Sequence, residues 1–408
     1  MKKKSNKRRN KNKKKKENKN QIIEIKNKVF GLFLNLKINN PTENLFEYNN
    51  DKVKNINGFT EKNIFCCKNK INNGIFFRNN QIDIKEELKI LFRVRKSKNN
   101  YYELIYPLIK LAYRDQKEIE KLDSRIWYVL KSENQNNKYE NENEEYNLLE
   151  NDIIKFGSTK YEIIEKHIHS SKPEIKNQIN EVNHEFGSIF RYENKEDNTC
   201  EICHDNKTTE ENPKVKLCKC DNYIHYKCIK NKLKQNAVIK INESKNVISY
   251  KCKGFICKKC ECQYPYKFNI NNKDYTLIDL KIPEKDDYII LENLNPIIEK
   301  KKNIKNIFVV NLTNKEITIG RNLNNDIIID EDNNISREHC LLKYDKENGY
   351  LTIIDKSAFG TSVLIKGNTK IELYKKLYLQ IGNVFTKAEY NEKEVLEEDD
   401  KTTIDIDI

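Results

Sequence analysis

The sequence has no long apolar run. The longest, "VFGLFLNL" from Val29 to Leu36, is interrupted and falls far short of the roughly 20 residues that a membrane-spanning helix needs. No h-region follows the charged N-terminus, no Walker or dinucleotide loop occurs, and no heptad pattern is sustained. The expectation is therefore no membrane partner, no leader-directed export and no long coiled coil. A folded basic face is missing too. Residues 1–20 hold ten Lys and two Arg against one Glu, so +11 of the chain's net +14 sits in that tail and only +3 remains for everything after it. Residues 391–408 carry eight acids and two lysines, a net of −6. Lys, Asn and Ile abound along the whole chain, so specific nucleic-acid binding is not expected of the basic block. The block can also be read as a nuclear import signal, which leaves a cytoplasmic or a nuclear location.

The 408 residues suggest two or three domains. Their modest apolar share and high charged share imply compact cores separated by solvated linkers. A disordered basic tail is expected over 1–22, a β-rich region over 23–168, and a polar connector over 169–197. A cysteine-rich finger follows over 198–270, then a second connector over 271–304, an all-β domain over 305–390 and a disordered acidic tail over 391–408. The class is multidomain and mainly β. Two stretches share one layout: "NDIIKFGSTKYEII" turns at Gly157-Ser158, and "LYLQIGNVFTKAEY" turns at Gly382-Asn383. They hint at sandwich-like units at both ends of the chain.

Twelve cysteines in a chain without export features point to metal rather than disulfides. "CEIC", "CKC", "HYKC" and "CKKC" supply Cys200, Cys203, Cys218, Cys220, His225, Cys228, Cys257 and Cys260. Short gaps let a turn aim two ligands at one tetrahedral ion, and eight ligands suffice for two Zn2+. Two neighbours, Cys252 and Cys262, are spare ligands. Cys66, Cys67 and Cys340 read as small buried residues.

The ligand order, the opening "CEIC" and the closing "CKKCECQYPYKF" resemble a RING-variant (RING-CH) finger, and the order also matches a PHD finger, a nuclear reader module. The RING resemblance implies a cross-brace. Cys200, Cys203, His225 and Cys228 would bind one ion, and Cys218, Cys220, Cys257 and Cys260 the other. It also implies that any enzymatic activity would be ubiquitin transfer without a nucleophile of its own, with Ile202 contacting a ubiquitin-conjugating enzyme. Lys232 stands where that family has Trp. The gap before His225 is short for the family, and the gap from Cys228 to Cys257 is long. Eight used ligands leave no open coordination position for hydrolysis.

Residues 305–390 alternate in β-branched runs, with Asn348-Gly349 as a hairpin signal. "IGRNLNNDIIID", "ISREH" and "DKSAFGTSVL" resemble, in order and spacing, a forkhead-associated (FHA) domain, a β-sandwich that reads phosphothreonine. The resemblance implies that Arg321 and Ser336 contact phosphate and that Arg337 adds a peptide contact. It gives His339, Gly320 and Gly360 structural roles, and makes a phosphothreonine-containing protein the partner. A guanidinium fork and a hydroxyl suit a phosphate dianion. Phe359 and Leu364 replace two Asn of that pattern. In the acidic tail, Asp405 lies three residues after Thr402, so the tail itself is a candidate ligand.

Overall fold

The computed structural model describes residues 198–365 apart from brief gaps, residues 125–130 and 145–169, and elsewhere between 22 and 390 only separate helix and strand segments. The basic and acidic tails, Phe359, Thr402 and the side chains of Cys66 and Cys67 lie outside the described residues.

The chain is strand-rich, as its short β-branched runs predict. A 14-stranded sheet runs through the molecule, and two five-stranded sheets have matching strand orders. The first five-stranded sheet runs Ile327–Ile328, Ile317–Gly320, Cys340–Asp345, Tyr350–Asp355, Glu145–Asn147. The second runs Ile75–Asn79, Asn63–Asn69, Leu88–Lys96, Tyr102–Ile105, Thr369–Lys370. In each case the last strand comes from the other half of the chain.

The long sheet repeats this exchange. The hairpin Ile153–Phe156 and Thr159–His167 is inserted between Thr361–Leu364 on one side and Tyr288–Asn293 on the other. The hairpin Leu377–Ile381 and Val384–Tyr390 lies between Ile126–Leu130 and Leu32–Ile38. The two look-alike stretches of the sequence thus take equivalent places, each beside the strands of the opposite half. The arms meet where Ile126–Leu130 pairs antiparallel with Thr361–Leu364.

Local chemistry builds these elements. In the first hairpin Phe156 faces Thr159, so the loop is the two residues Gly157 and Ser158, and Gly157 takes φ +58°. A two-residue turn with glycine first matches the twist of the flanking strands. The expected hairpin at Asn348-Gly349 forms with a four-residue loop, Asp345 pairing with Tyr350, and Gly349 at φ +72°.

One apolar core joins distant segments. Ile154, Phe156, Tyr161 and Ile163 pack with Ile289, Leu291, Phe308 and Val310, and with Ile317, Ile319, Leu342 and Ile353 of the facing sheet. Residues 271–304, which read as a polar connector, contain the strand Tyr288–Asn293, buried at all six positions. Its two polar residues, adjacent at the end of the strand, are sheltered too: Glu292 and Asn293 are fully buried.

The cysteine-rich block leaves the sheet after His167 and returns at Tyr288, two residues that face each other across paired strands. Its own strand Val247–Lys253 pairs with Lys302–Asn311 and carries Val238–Glu243 on its outer edge. The long gap between Cys228 and Cys257 is therefore the helix Tyr226–Gln235 plus a hairpin that extends the large sheet.

Candidate functional site

The finger is organised by one small hairpin and one helix. Lys214–Val215 pairs with Ile224–His225, and Cys218 and Cys220 sit in the loop between them. His225 ends the second strand, and Cys228 lies in the first turn of the helix Tyr226–Gln235. The loop and the strand end point to different sites, so the ligands interleave. Each Cys-x-x-Cys turn closes alike: His204 N–H donates to the Cys200 carbonyl at 2.8 Å, and Glu261 N–H to that of Cys257 at 2.9 Å. Both closing residues take the left-handed conformation, His204 at φ 60° and Glu261 at φ 57°.

The structure brings together Cys200, Cys203, His225 and Cys228, and separately Cys218, Cys220, Cys257 and Cys260, with the ligand atoms of each set within 4.8 Å of one another. His225 Nδ1 is 3.2 Å from Cys203 Sγ and 4.0 Å from Cys228 Sγ, and Cys220 Sγ is 3.9 Å from Cys257 Sγ. Thiolates and imidazole held tetrahedrally by zinc stand about 3.4–3.8 Å apart, so each set could hold a metal ion. The donors are soft thiolates with one imidazole, the chemistry that suits zinc. Burial resists ionisation at Cys200, but the N–H groups of Cys203, His225 and Ile202 outweigh it and bring the thiol down to about 7. Burial and the neighbouring Cys203 and Cys200 push Cys228 up to about 12. Clustered thiols cannot all ionise without a cation among them.

The spare cysteines stay outside both sets. Cys252 is fully buried in the strand Val247–Lys253, where burial pushes its thiol up to about 12. Cys262 and Cys340 are also buried. Lys259 Nζ donates to Glu201 at 2.6 Å, tying one Cys-x-x-Cys turn to the other. Ile202 is half-buried against the finger core, and Lys232 is exposed on the helix.

The second site lies at one end of the sandwich, where three loops meet. Arg321 N–H donates to the Ser336 carbonyl at 3.0 Å, Asn322 N–H to that of Arg337 at 3.1 Å, and His339 N–H to that of Ile319 at 2.8 Å. A Cβ on Gly320 would stand 2.3 Å from the Arg337 carbonyl oxygen, so any side chain there drives two loops apart. Asn325 Nδ2 donates to the carbonyls of Asn322 and Arg337 at 2.8 and 2.7 Å. Neither motif marks Asn325 as important; its role shows only when both loops are in place. The third loop is fixed by Asp355, whose Oδ1 accepts from Ser357 and Thr361 hydroxyls at 2.8 and 2.7 Å. Ser357 Oγ accepts from Gly360 N–H at 2.7 Å, and Gly360 adopts φ +89°.

Ser336 Oγ accepts from Ala358 N–H at 3.1 Å, which leaves its hydroxyl hydrogen to point elsewhere. Arg321 Nη1 donates to Asn333 Oδ1 at 3.4 Å, while its Nε is buried with no hydrogen-bond partner among the described residues. Arg337 is exposed. The exchanged hairpin reaches this loop cluster: Ser158 N–H and Oγ donate to Asp332 Oδ2 at 2.6 and 2.8 Å. Leu364 occupies an Asn position of the motif for a visible reason. It is buried with Ile119, Leu122, Trp127, Ile153 and Leu294, where an unpaired amide would be costly.

His339 braces the cluster from beneath. Its Nδ1 accepts from Ser336 N–H at 3.1 Å, and Phe156 meets it edge-on at 5.7 Å. Burial holds its imidazole down to about 4, against 6.5 ordinarily. The unfolded chain then takes up a proton that the folded one refuses. Stability is expected to fall as pH drops from about 6.5 to about 4, by up to about 1.4 kcal/mol per unit. Urea denaturation across this window should show a shallower dependence in His339→Gln; an unchanged slope would assign the effect to other groups.

Residues 317–386 match the family model of the FHA domain. This part of the chain is an FHA domain, and it indicates a phosphothreonine-binding interaction module. The match does not extend to the finger. Comparisons with curated proteins and with solved structures found no match. The FHA match runs past Leu377 into the hairpin that, in space, pairs with Ile126–Leu130 and Leu32–Ile38.

Proposed function

We propose that the protein is a phosphothreonine-dependent binding module whose finger, carrying two Zn2+, is a structural and docking unit. The observation that carries this reading is the convergence of Arg321, Ser336 and the 356–360 loop at one end of the FHA sandwich, with the Ser336 hydroxyl held from behind by Ala358 N–H. In this reading Arg321 and Ser336 bind the phosphate dianion, and Arg337 contacts the flanking peptide. Gly320, His339 and Gly360 keep the loops in register. Charge-assisted hydrogen bonds contribute about 1.5–3 kcal/mol each. Arg321→Ala is therefore expected to weaken phosphopeptide binding at least about tenfold, measured with a phosphothreonine peptide library and its unphosphorylated counterpart. Equal binding of the two libraries by the wild type would remove the proposal.

For the finger, the exposed Lys232 favours docking over ubiquitin transfer, because the family's interface at that point rests on an aromatic anchor. An autoubiquitination assay with a panel of conjugating enzymes separates the two. Robust chain formation that is lost in Ile202→Ala would establish the ligase instead.

A further inference from the structure

The finger leaves and re-enters the sandwich beside a pair of histidines that neither the FHA loops nor the cysteine sets use. His167 ends its strand and His169 follows two residues later. Their Nε2 atoms stand 3.2 Å apart, with the rings at right angles and centroids 4.5 Å apart. Two imidazole nitrogens bound at about 2.1 Å to one tetrahedral ion stand about 3.4 Å apart, so the spacing is already that of a chelating pair.

Each ring is held. Asp287 is buried, and its Oδ1 accepts from both His169 N–H at 2.7 Å and His169 Nδ1 at 2.8 Å. Its Oδ2 accepts from Tyr344 O–H at 2.5 Å. A carboxylate on Nδ1 fixes the tautomer with the proton there, so Nε2 of His169 presents a lone pair. Metal-bound histidines carry this carboxylate behind them because it orients the ring and makes the other nitrogen more basic. His167 is stacked on Tyr288, its partner across the strands, at 5.2 Å between centroids. Both histidines remain exposed to solvent.

We propose that His167 and His169 form a third transition-metal site, distinct from the two cysteine sets, which takes Zn2+ through both Nε2 atoms with water completing the shell. The hydrogen bond between the rings holds a proton where the ion would sit. With two protein ligands the site binds more weakly than the four-ligand sets, and it lies where the finger joins the sandwich.

The test is calorimetric titration of Zn2+ into full-length protein already holding two equivalents. A third, weaker equivalent is expected. His167→Gln and His169→Gln should each weaken it at least tenfold, and Asp287→Asn about tenfold through the ring behind it. The two tight equivalents should stay in all three variants, as elemental analysis after gel filtration would show. In the wild type, the third equivalent should shift imidazole 15N resonances of two histidines beyond those of His225, which gives a readout independent of the variants. Failure to bind a third equivalent, or a third equivalent retained by the double His→Gln variant, would overturn the proposal.

Discussion

Chelating the ions from the cysteine sets is expected to unfold the finger and to weaken the sandwich beneath it. Structural zinc supplies about 10–16 kcal/mol in isolated finger peptides, comparable to the whole stability of a typical domain. The apolar core of the finger is built around its ligands: Val215, Leu217, Ile224, Ile229 and Leu233, with Phe255, Tyr264, Tyr266 and Phe268, pack about Cys200, Cys218 and Cys257. That same cluster continues into Tyr250, Tyr288, Ile290, Ile307 and Val309 on the strands of the large sheet. Losing the finger therefore uncovers one face of those strands. Limited proteolysis after EDTA treatment should cut within residues 198–287 first, and the thermal midpoint of the remainder should fall. Elemental analysis should find two tightly bound ions per chain, fewer in Cys200→Ser and Cys257→Ser, and an unchanged number in Cys252→Ser. One ion or none in the wild type would refute the two-site reading.

The second large effect is expected at Lys305. Its side chain is 2% exposed, and Nζ pairs with the carboxylate of Glu292, itself fully buried. Nζ also donates to the Tyr264 carbonyl of the finger at 2.6 Å. One ammonium thus joins two sandwich strands and the finger. Lys305→Met leaves the Glu292 carboxylate in a dry interior without its cation, and removing one partner of such a pair costs about 3–5 kcal/mol. Replacing both, as Lys305→Met with Glu292→Leu, should recover most of that loss, since paired buried charges give little net gain over apolar packing. A urea-denaturation double-mutant cycle measures both outcomes. A single variant within 1 kcal/mol of the wild type would show that water reaches the pair.

What the sequence made legible was local. The two-residue gaps marked eight ligands, because a short turn aims two side chains at one ion, while their division into Cys200, Cys203, His225 and Cys228 and a second set came from the RING resemblance and matches the sets that the structure brings together. Gly320, Arg321, Ser336 and His339 were legible as one loop cluster through the FHA resemblance, and the structure supplies the reason, since backbone pairing fixes one motif against the next. Gly157-Ser158 marked its hairpin for the same reason. Partner choice was not legible. The hairpins at 153–167 and 377–390 have the same alternation, so either fits either sandwich by pattern alone, and only packing against Ile289, Phe308 and Val363 assigns the first. Nor could the 228–257 gap reveal a hairpin that belongs to the large sheet. Asn325, Asp332 and Asp287 went unnoticed because short polar residues are common in this chain and act here only through contacts distant in sequence.

The exchanged hairpins set a timetable for synthesis. Strand Leu32–Ile38 is made first, and its neighbour Val384–Tyr390 is translated roughly 350 residues later. At 5–20 residues per second, the early half waits on the order of tens of seconds for the strand that completes it. The later half has no such wait: the hairpin 153–167 is already made when Tyr288–Asn293 arrives. The C-terminal sandwich can therefore close first, with the N-terminal one following on its edge at Thr361–Leu364. During that interval the nascent chain exposes unpaired strand edges, the situation in which chaperones are needed most.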